Sequence, residues 1–296
     1  MEFHHDTAQL NTPHIFNFAE CLHFLDRGYD DCLYTIEGKA VLKPLRIGKE
    51  QGLIKISPRS DTLKVERIAG ELNLTKATQY VTEWFDLKRE LQPFYQLLDQ
   101  HEQFSWMSTR YHGLRLMGIP DLFEALCWCV IGQQINLTFA YKLKRRLVEN
   151  YGSFLKHDST KHYFFPEPEV LAALSVESLR DMQFSRRKAE YIIGIARQFV
   201  RGDFSKQQLQ NQETYQQMVT QLKTIRGVGD WTANYVLMKS LQKMNCITYG
   251  DTGLQSAVSS IMNLDRKPTR SEIENFFKPF RGWESYLNIY LWRKLS

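Results

Sequence analysis

The spacing of apolar positions changes about a third of the way along the chain. In the first part they form short strand-like runs: Leu33-Tyr34-Thr35-Ile36, Ala40-Val41-Leu42, Leu53-Ile54-Lys55-Ile56 and Leu63-Lys64-Val65-Glu66. Gly38, Gly48, Gly52, Pro58 and Asp61 punctuate them where turns belong. Helical periods flank the runs, around Phe16 to Leu25 and Lys88 to Asp99. The pattern predicts an α+β domain with an antiparallel sheet over residues 1–93.

Beyond it nearly every apolar position repeats with a helical period. Asp121 can cap a helix whose inner face carries Leu122, Phe123, Leu126 and Val130, and Gly132-Gln133-Gln134 interrupts it. Asn136 can cap the next, with Ala140, Leu143 and Leu147 inward and Gly152 at its end. Lys142, Lys144, Arg145 and Arg146 on that helix suit either a solvated face or phosphate contact. Pro166 and Pro168 open another helix. Ser185 opens one carrying Ile192, Ile195, Ala196 and Phe199. Its first turn holds Arg186, Arg187 and Lys188, cations placed against the helix dipole, which hints at a nearby anion.

The 296 residues carry a formal charge of +5, which permits an anionic partner without requiring one. The five cysteines, Cys21, Cys32, Cys127, Cys129 and Cys246, form no Cys-x-x-Cys pair. A disulfide framework or zinc site is therefore not expected, and a reducing compartment is. His4-His5 is too short to argue for a metal. The N-terminus has no apolar signal region and nothing approaches a membrane span, so a cytoplasmic protein without membrane contact is expected.

The chemistry concentrates in Leu222-Lys-Thr-Ile-Arg-Gly-Val-Gly-Asp-Trp-Thr-Ala-Asn-Tyr235 and in Asp251. Met218, Leu222 and Ile225 set one helix face, Arg226 to Asp230 the turn, and Trp231 to Leu241 a second helix. Gly227 and Gly229 allow positive φ and close backbone approach. The second helix then presents free N–H groups and a positive dipole end to a phosphate. An ordinary glycine link between core helices would carry the same two glycines. Asp251, within Thr248-Tyr-Gly-Asp-Thr-Gly-Leu-Gln-Ser256, would usually be a helix cap. Thr252 and Gln255 form a capping-box pattern of their own, however, which would leave the Asp251 carboxylate free.

Ile225-Arg-Gly-Val-Gly-Asp-Trp-Thr-Ala-Asn-Tyr235 resembles the signature of the helix–hairpin–helix DNA glycosylases, and within them the alkylated-base type, 3-methyladenine glycosylase II. Gly113-Leu-Arg-Leu116, Phe123-Glu124, Ile131-Gly-Gln133, Ala140-Tyr-Lys-Leu143, Tyr151-Gly152, Phe165-Pro-Glu-Pro168, Arg187-Lys-Ala189, Lys278-Pro279 and Ser285-Tyr286 extend the likeness from about residue 105 onward. The resemblance implies a mainly α fold in which two helical subdomains, 94–121 plus 244–296 and 122–243, flank a cleft. It implies a nucleotide flipped out of double-stranded DNA, with Asp251 as the catalytic carboxylate. A fixed anion there would stabilise the positive charge that builds on the sugar, or orient the attacking water.

Trp231 and Tyr235, four apart on a helix, present neighbouring rings, and the resemblance adds Trp283 to the base pocket. Such faces attract a cationic alkylated purine. Gln134 or Gln133 would be the wedge that fills the gap left by flipping. Gly227, Val228, Gly229 and Arg226 would hold the DNA backbone. A monovalent Na+ or K+ could sit at the carbonyls of Lys223, Ile225 and Val228, with no cofactor required. Arg226 and Asp230 depart from the family's usual proline and basic residue at those places. Relatives that also cut the backbone carry a lysine where this chain has Trp231, so a monofunctional enzyme, acting as a monomer, is expected. No cysteine follows Cys246, so the iron–sulfur cluster of some relatives is not expected. The rivals are a glycosylase/lyase for oxidised purines and a non-catalytic damage-binding protein.

Overall fold

The computed structural model describes residues 6–26, 28–29 and 31–295; His4 and His5 lie outside them. The N-terminal part carries β1 (Thr7–Asn11), α1 (Phe18–Leu25), β2 (Thr35–Glu37), β3 (Ala40–Ile47), β4 (Glu50–Arg59), β5 (Thr62–Glu71) and α2 (Leu74–Trp84). The sheet order is β1-β5-β4-β3-β2, all antiparallel. Two elements of this part were not read from the sequence, β1 and α2, and α2 packs on β1 and β5. Pro44 is tolerated inside β3 because β2 pairs only with residues 40–42, beyond which no N–H on that edge is needed.

The helical part follows with α3 (Gln92–Gln100), α4 (Glu102–Arg110), α5 (Leu122–Gly132) and α6 (Leu137–Tyr151). A hairpin of β6 (Phe154–His157) and β7 (Thr160–Tyr163) interrupts the helices. It escaped the sequence because its turn residues, Asp158 and Ser159, take positive φ of 46° and 65° without a glycine to mark them. Then come α7 (Pro168–Ala172), α8 (Val176–Arg180), α9 (Arg186–Arg201), α10 (Lys206–Gln210), α11 (Tyr215–Lys223), α12 (Asp230–Leu241), α13 (Thr252–Ile261), α14 (Arg270–Phe277) and α15 (Glu284–Arg293). Asp121, Asn136 and Ser185 cap their helices through the side chain, as their positions predicted. Among the described residues no helix is long and apolar enough to cross a membrane.

α5 is the central beam. All its residues from Leu122 to Ile131 are buried, and α6, α9 and α12 pack around it. α13 packs on α15, while α3 packs on α4. Two of the four cations of α6 are tied to neighbouring segments, while Lys142 is exposed and Arg145 pairs with Glu149 on the same helix. Lys144 is buried against Asp31 and Glu124, and Arg146 donates to Gln183 and to the Met182 carbonyl. Lys144 and Arg146 therefore stitch α6 to its neighbours.

Candidate active site

The loop that ends at Asp251 is fixed by one face of α15. Ser285 Oγ donates to the Lys243 carbonyl at 2.7 Å and accepts from Cys246 N–H at 3.2 Å. Asn288 Oδ1 accepts from the Thr248 hydroxyl at 2.8 Å and from its N–H at 3.3 Å. One turn further on, Trp292 Nε1 donates to Asp251 Oδ1 at 2.9 Å. Positions 285, 288 and 292 fall on one helical stripe, so a single helix places the whole loop. Gly253 makes room: a Cβ there would lie 3.1 Å from Asp251 Oδ1 and 3.6 Å from the indole of Trp292.

Asp251, and not Thr252, caps α13, with Oδ1 accepting from Leu254 N–H at 2.6 Å. The Thr252 capping-box pattern is overridden because Thr252 already has helical geometry as the first residue of α13. The cap does not consume the carboxylate. Both donors converge on Oδ1, which fixes the group's direction and leaves Oδ2 outside both bonds. The side chain is half-buried.

Trp231 and Tyr235 lie side by side on α12, with ring centroids 5.4 Å apart and planes at 31°. The ring that meets Tyr235 from the Asp251 side is Trp292, at 5.9 Å and 40°. Trp283, expected in the base pocket, is not among the rings that meet Tyr235. Trp283 stacks on Phe94 at 5.7 Å, in a cluster with Tyr286. Trp283 precedes α15 as its N-cap, whereas Trp292 lies in its last turn. The spacing from Ser285 and Asn288 could have identified Trp292, had the bonding role of that stripe been visible. Tyr235 is braced by Trp128 Nε1, which donates to its hydroxyl at 3.1 Å. The Trp231 indole N–H is buried without a hydrogen-bond partner among the described residues.

The hairpin between α11 and α12 takes positive φ at Gly227 alone, +94°; Gly229 sits at −102° and needs no glycine for its torsions. At Gly227 a Cβ would lie 2.4 Å from the Tyr191 ring, whereas at Gly229 it would meet nothing within 4 Å. Gly229 leaves α12 without a side-chain cap, so the first N–H groups of that helix are unmasked. Val228 turns its side chain inward and offers only backbone. Arg226 pairs with Glu190 at 3.3 Å and lies over Tyr191. Asp230 pairs with Lys223 at 2.7 Å and so neither caps α12 nor stands as a bare anion.

The two glutamines separate. Gln134 is exposed, with φ +57°. Gln133 Nε2 donates to the Gly227 carbonyl at 2.9 Å and approaches Thr232 Oγ1 at 3.4 Å. A groove of about 1010 Å3 lies elsewhere, between α1 and the sheet, lined in part by His14, Asn17, His23 and Lys39. It contains none of these site residues.

Residues 127–281 match the family model of the HhH-GPD superfamily base excision DNA repair proteins, and residues 4–126 that of the 8-oxoguanine DNA glycosylase N-terminal domain. A DNA-3-methyladenine glycosylase of Bacillus subtilis is 37% identical over 98% of this chain and 97% of its own. DNA-3-methyladenine glycosylase 2 of Escherichia coli is 24% identical over 96% of this chain and 95% of its own. A 3-methyladenine DNA glycosylase structure from Archaeoglobus fulgidus superposes with a TM-score of 0.84 at 23% identity, covering 96% of this chain and 97% of that one. The 8-oxoguanine glycosylase/lyase of Clostridium acetobutylicum, solved with double-stranded DNA, shares the fold at a TM-score of 0.79 and 16% identity, over 99% and 96% of the two chains. With a hairpin, a helix N-terminus and a fixed aspartate in this arrangement, the chain belongs to the HhH-GPD superfamily of base excision DNA repair proteins.

Proposed function

We propose that the protein is a monofunctional DNA glycosylase that hydrolyses the N-glycosidic bond of alkylated purines in double-stranded DNA. The observation that carries this reading is Asp251, held on one oxygen by two donors beside a face of three aromatic rings. The target bond is inaccessible inside the base stack, so the nucleotide must be extruded. The unmasked N–H groups of α12 grip a backbone phosphate, with Gly229 letting it approach. Gln134 enters the gap left in the duplex.

A base alkylated on a ring nitrogen is cationic and binds the electron-rich faces of Trp231, Tyr235 and Trp292, a contact worth about 0.5–2 kcal/mol. As the bond to the base lengthens, positive charge builds on the sugar, and Asp251 Oδ2 stabilises it, orients the water that attacks C1′ and accepts the proton that this water gives up. The departing base leaves with the bonding pair, which its ring charge already draws away from the sugar.

The lysine needed for strand cleavage has no counterpart in the hairpin. Trp231 stands at its place, Lys223 pairs with Asp230, and Lys239 donates to the Met117 carbonyl. A Na+ or K+ at the carbonyls of Lys223, Ile225 and Val228 fits this reading and would bridge to the phosphate. The Ile225 carbonyl already accepts from Val228 N–H at 3.0 Å and has one lone pair left to give.

Base release from methylated duplex DNA is expected from the wild type and is expected to fall about 10²–10³-fold in Asp251→Asn. Undiminished release by that variant would remove Asp251 from the chemistry. A covalent adduct trapped by borohydride would move the enzyme to the glycosylase/lyase class.

A further inference from the structure

The wedge loop and the phosphate-gripping hairpin lie 94 residues apart in sequence, yet one side chain joins them. Gln133 Nε2 donates to the carbonyl of Gly227, the one hairpin residue at positive φ. That carbonyl is turned away from the hairpin's own hydrogen bonds, and a side chain from the opposite loop satisfies it. The same two segments are braced from behind by one stretch of α9. Lys188 Nζ donates to the Ile131 carbonyl at 2.7 Å, closing the end of α5 just before the loop. Two and three residues later, Glu190 pairs with Arg226, and the Tyr191 ring fills the space under Gly227. Gln134, next to the anchored residue, is left exposed in a left-handed conformation.

We infer that Gln133 is a positioning residue that locks the wedge loop to the hairpin, so that gripping the phosphate sets the depth at which Gln134 enters the duplex. A main-chain anchor on one side and a side-chain amide on the other form a strut of fixed length. Without it the loop retains the Lys188 contact at its root but can rock about it. The hairpin would still bind phosphate, and the wedge would enter out of register. This rests on the DNA glycosylase reading only in assuming that duplex DNA is the ligand.

The test uses the full chain and a duplex carrying a non-hydrolysable abasic analogue, with 2-aminopurine as the orphaned base opposite it. Gln133→Met keeps the side-chain length and removes the donor; Gln133→Glu places an acceptor against the Gly227 carbonyl. Both are expected to bind the duplex within about threefold of wild type while losing most of the 2-aminopurine fluorescence rise. Single-turnover release from methylated DNA should fall about tenfold, the worth of one lost hydrogen bond. Gln134→Ala should add little on top of either variant, since the wedge is already displaced. A wild-type fluorescence rise in both variants at unchanged melting temperature would overturn the inference, as would fully additive effects with Gln134→Ala. The fluorescence arm needs no base release. A wild type that wedges the abasic duplex but releases no methylated base would therefore refute the substrate reading and leave the strut standing.

Discussion

Asp251 ends a loop and begins a helix, and both duties fall on one oxygen. The Leu254 N–H and the Trp292 indole share Oδ1, so the cap and the neighbouring ring orient the carboxylate without occupying its second oxygen. Under the proposed function Trp292 serves twice, as a face for the base and as a donor to Asp251. Trp292→Phe separates these duties, because it keeps a ring and removes the N–H. A hydrogen bond to a charged group is worth about 1.5–3 kcal/mol, so release of methylated purine should fall roughly 10- to 100-fold. Binding of the abasic duplex should change little. Trp283→Phe, which alters the Phe94 cluster, should leave the rate of release intact and register in the melting temperature. Equal losses of rate in the two variants would contradict the assignment of the pocket wall to Trp292.

At the scale of the elements, the hairpin's two glycines do different things. Gly227 is required by its torsion and by the Tyr191 ring packed against it. Gly229 is required by neither, and the space in front of it is open. Gly227→Ala should thus destabilise the fold itself, as a strained position and a clash combine. Gly229→Ala should melt like wild type and still bind DNA at least tenfold more weakly, because its methyl group stands where a phosphate approaches. A titration of fluorescent duplex at fixed salt, beside a thermal melt, distinguishes the two. Normal DNA affinity in Gly229→Ala would place the phosphate elsewhere. The same scale explains one of the three cations at the start of α9. Lys188 closes the C-terminal end of α5, where a positive charge is favourable, and burial pulls its ammonium down to about 8.

Across the whole molecule, buried charge holds the N-terminal part on the helices. Lys144 Nζ lies 3.0 Å from Asp31 and 3.4 Å from Glu124, all three nearly sealed from water. Burial alone would depress this ammonium, but the two carboxylates override it and hold the group charged. Lys144→Met would strand two buried carboxylates, and such a loss costs about 3–5 kcal/mol. Denaturant unfolding should show that loss; a change below about 1 kcal/mol would mean that the cluster is solvated. Arg115, fully buried, donates to the carbonyls of Ile15, Asp86 and Arg89, tying three segments together. Tyr286 of α15 then reaches Asp86 Oδ2 at 2.8 Å. The helix that aims Asp251 is in this way anchored to the N-terminal part.

The sequence by itself determined the local events. Helix starts at Asp121, Asn136 and Ser185 were legible because a cap needs only one side chain and the three residues after it. The hairpin motif and the lone aspartate were legible for the same reason, and so was the absence of a lysine beside them. The tertiary structure alone decided how these pieces meet. It began α13 at Thr252, which made Asp251 the cap, and it brought the Trp292 indole to the same carboxylate from a helix 41 residues away. It set Trp292 beside Tyr235 and Trp283 against Phe94, because ring contacts between distant segments are fixed only by packing. It turned Lys144 and Arg146 from phosphate candidates into internal braces, and it split Gln133 from Gln134 by a bond spanning 94 residues. Contacts between distant segments depend on which faces burial brings together, and no local pattern encodes that choice.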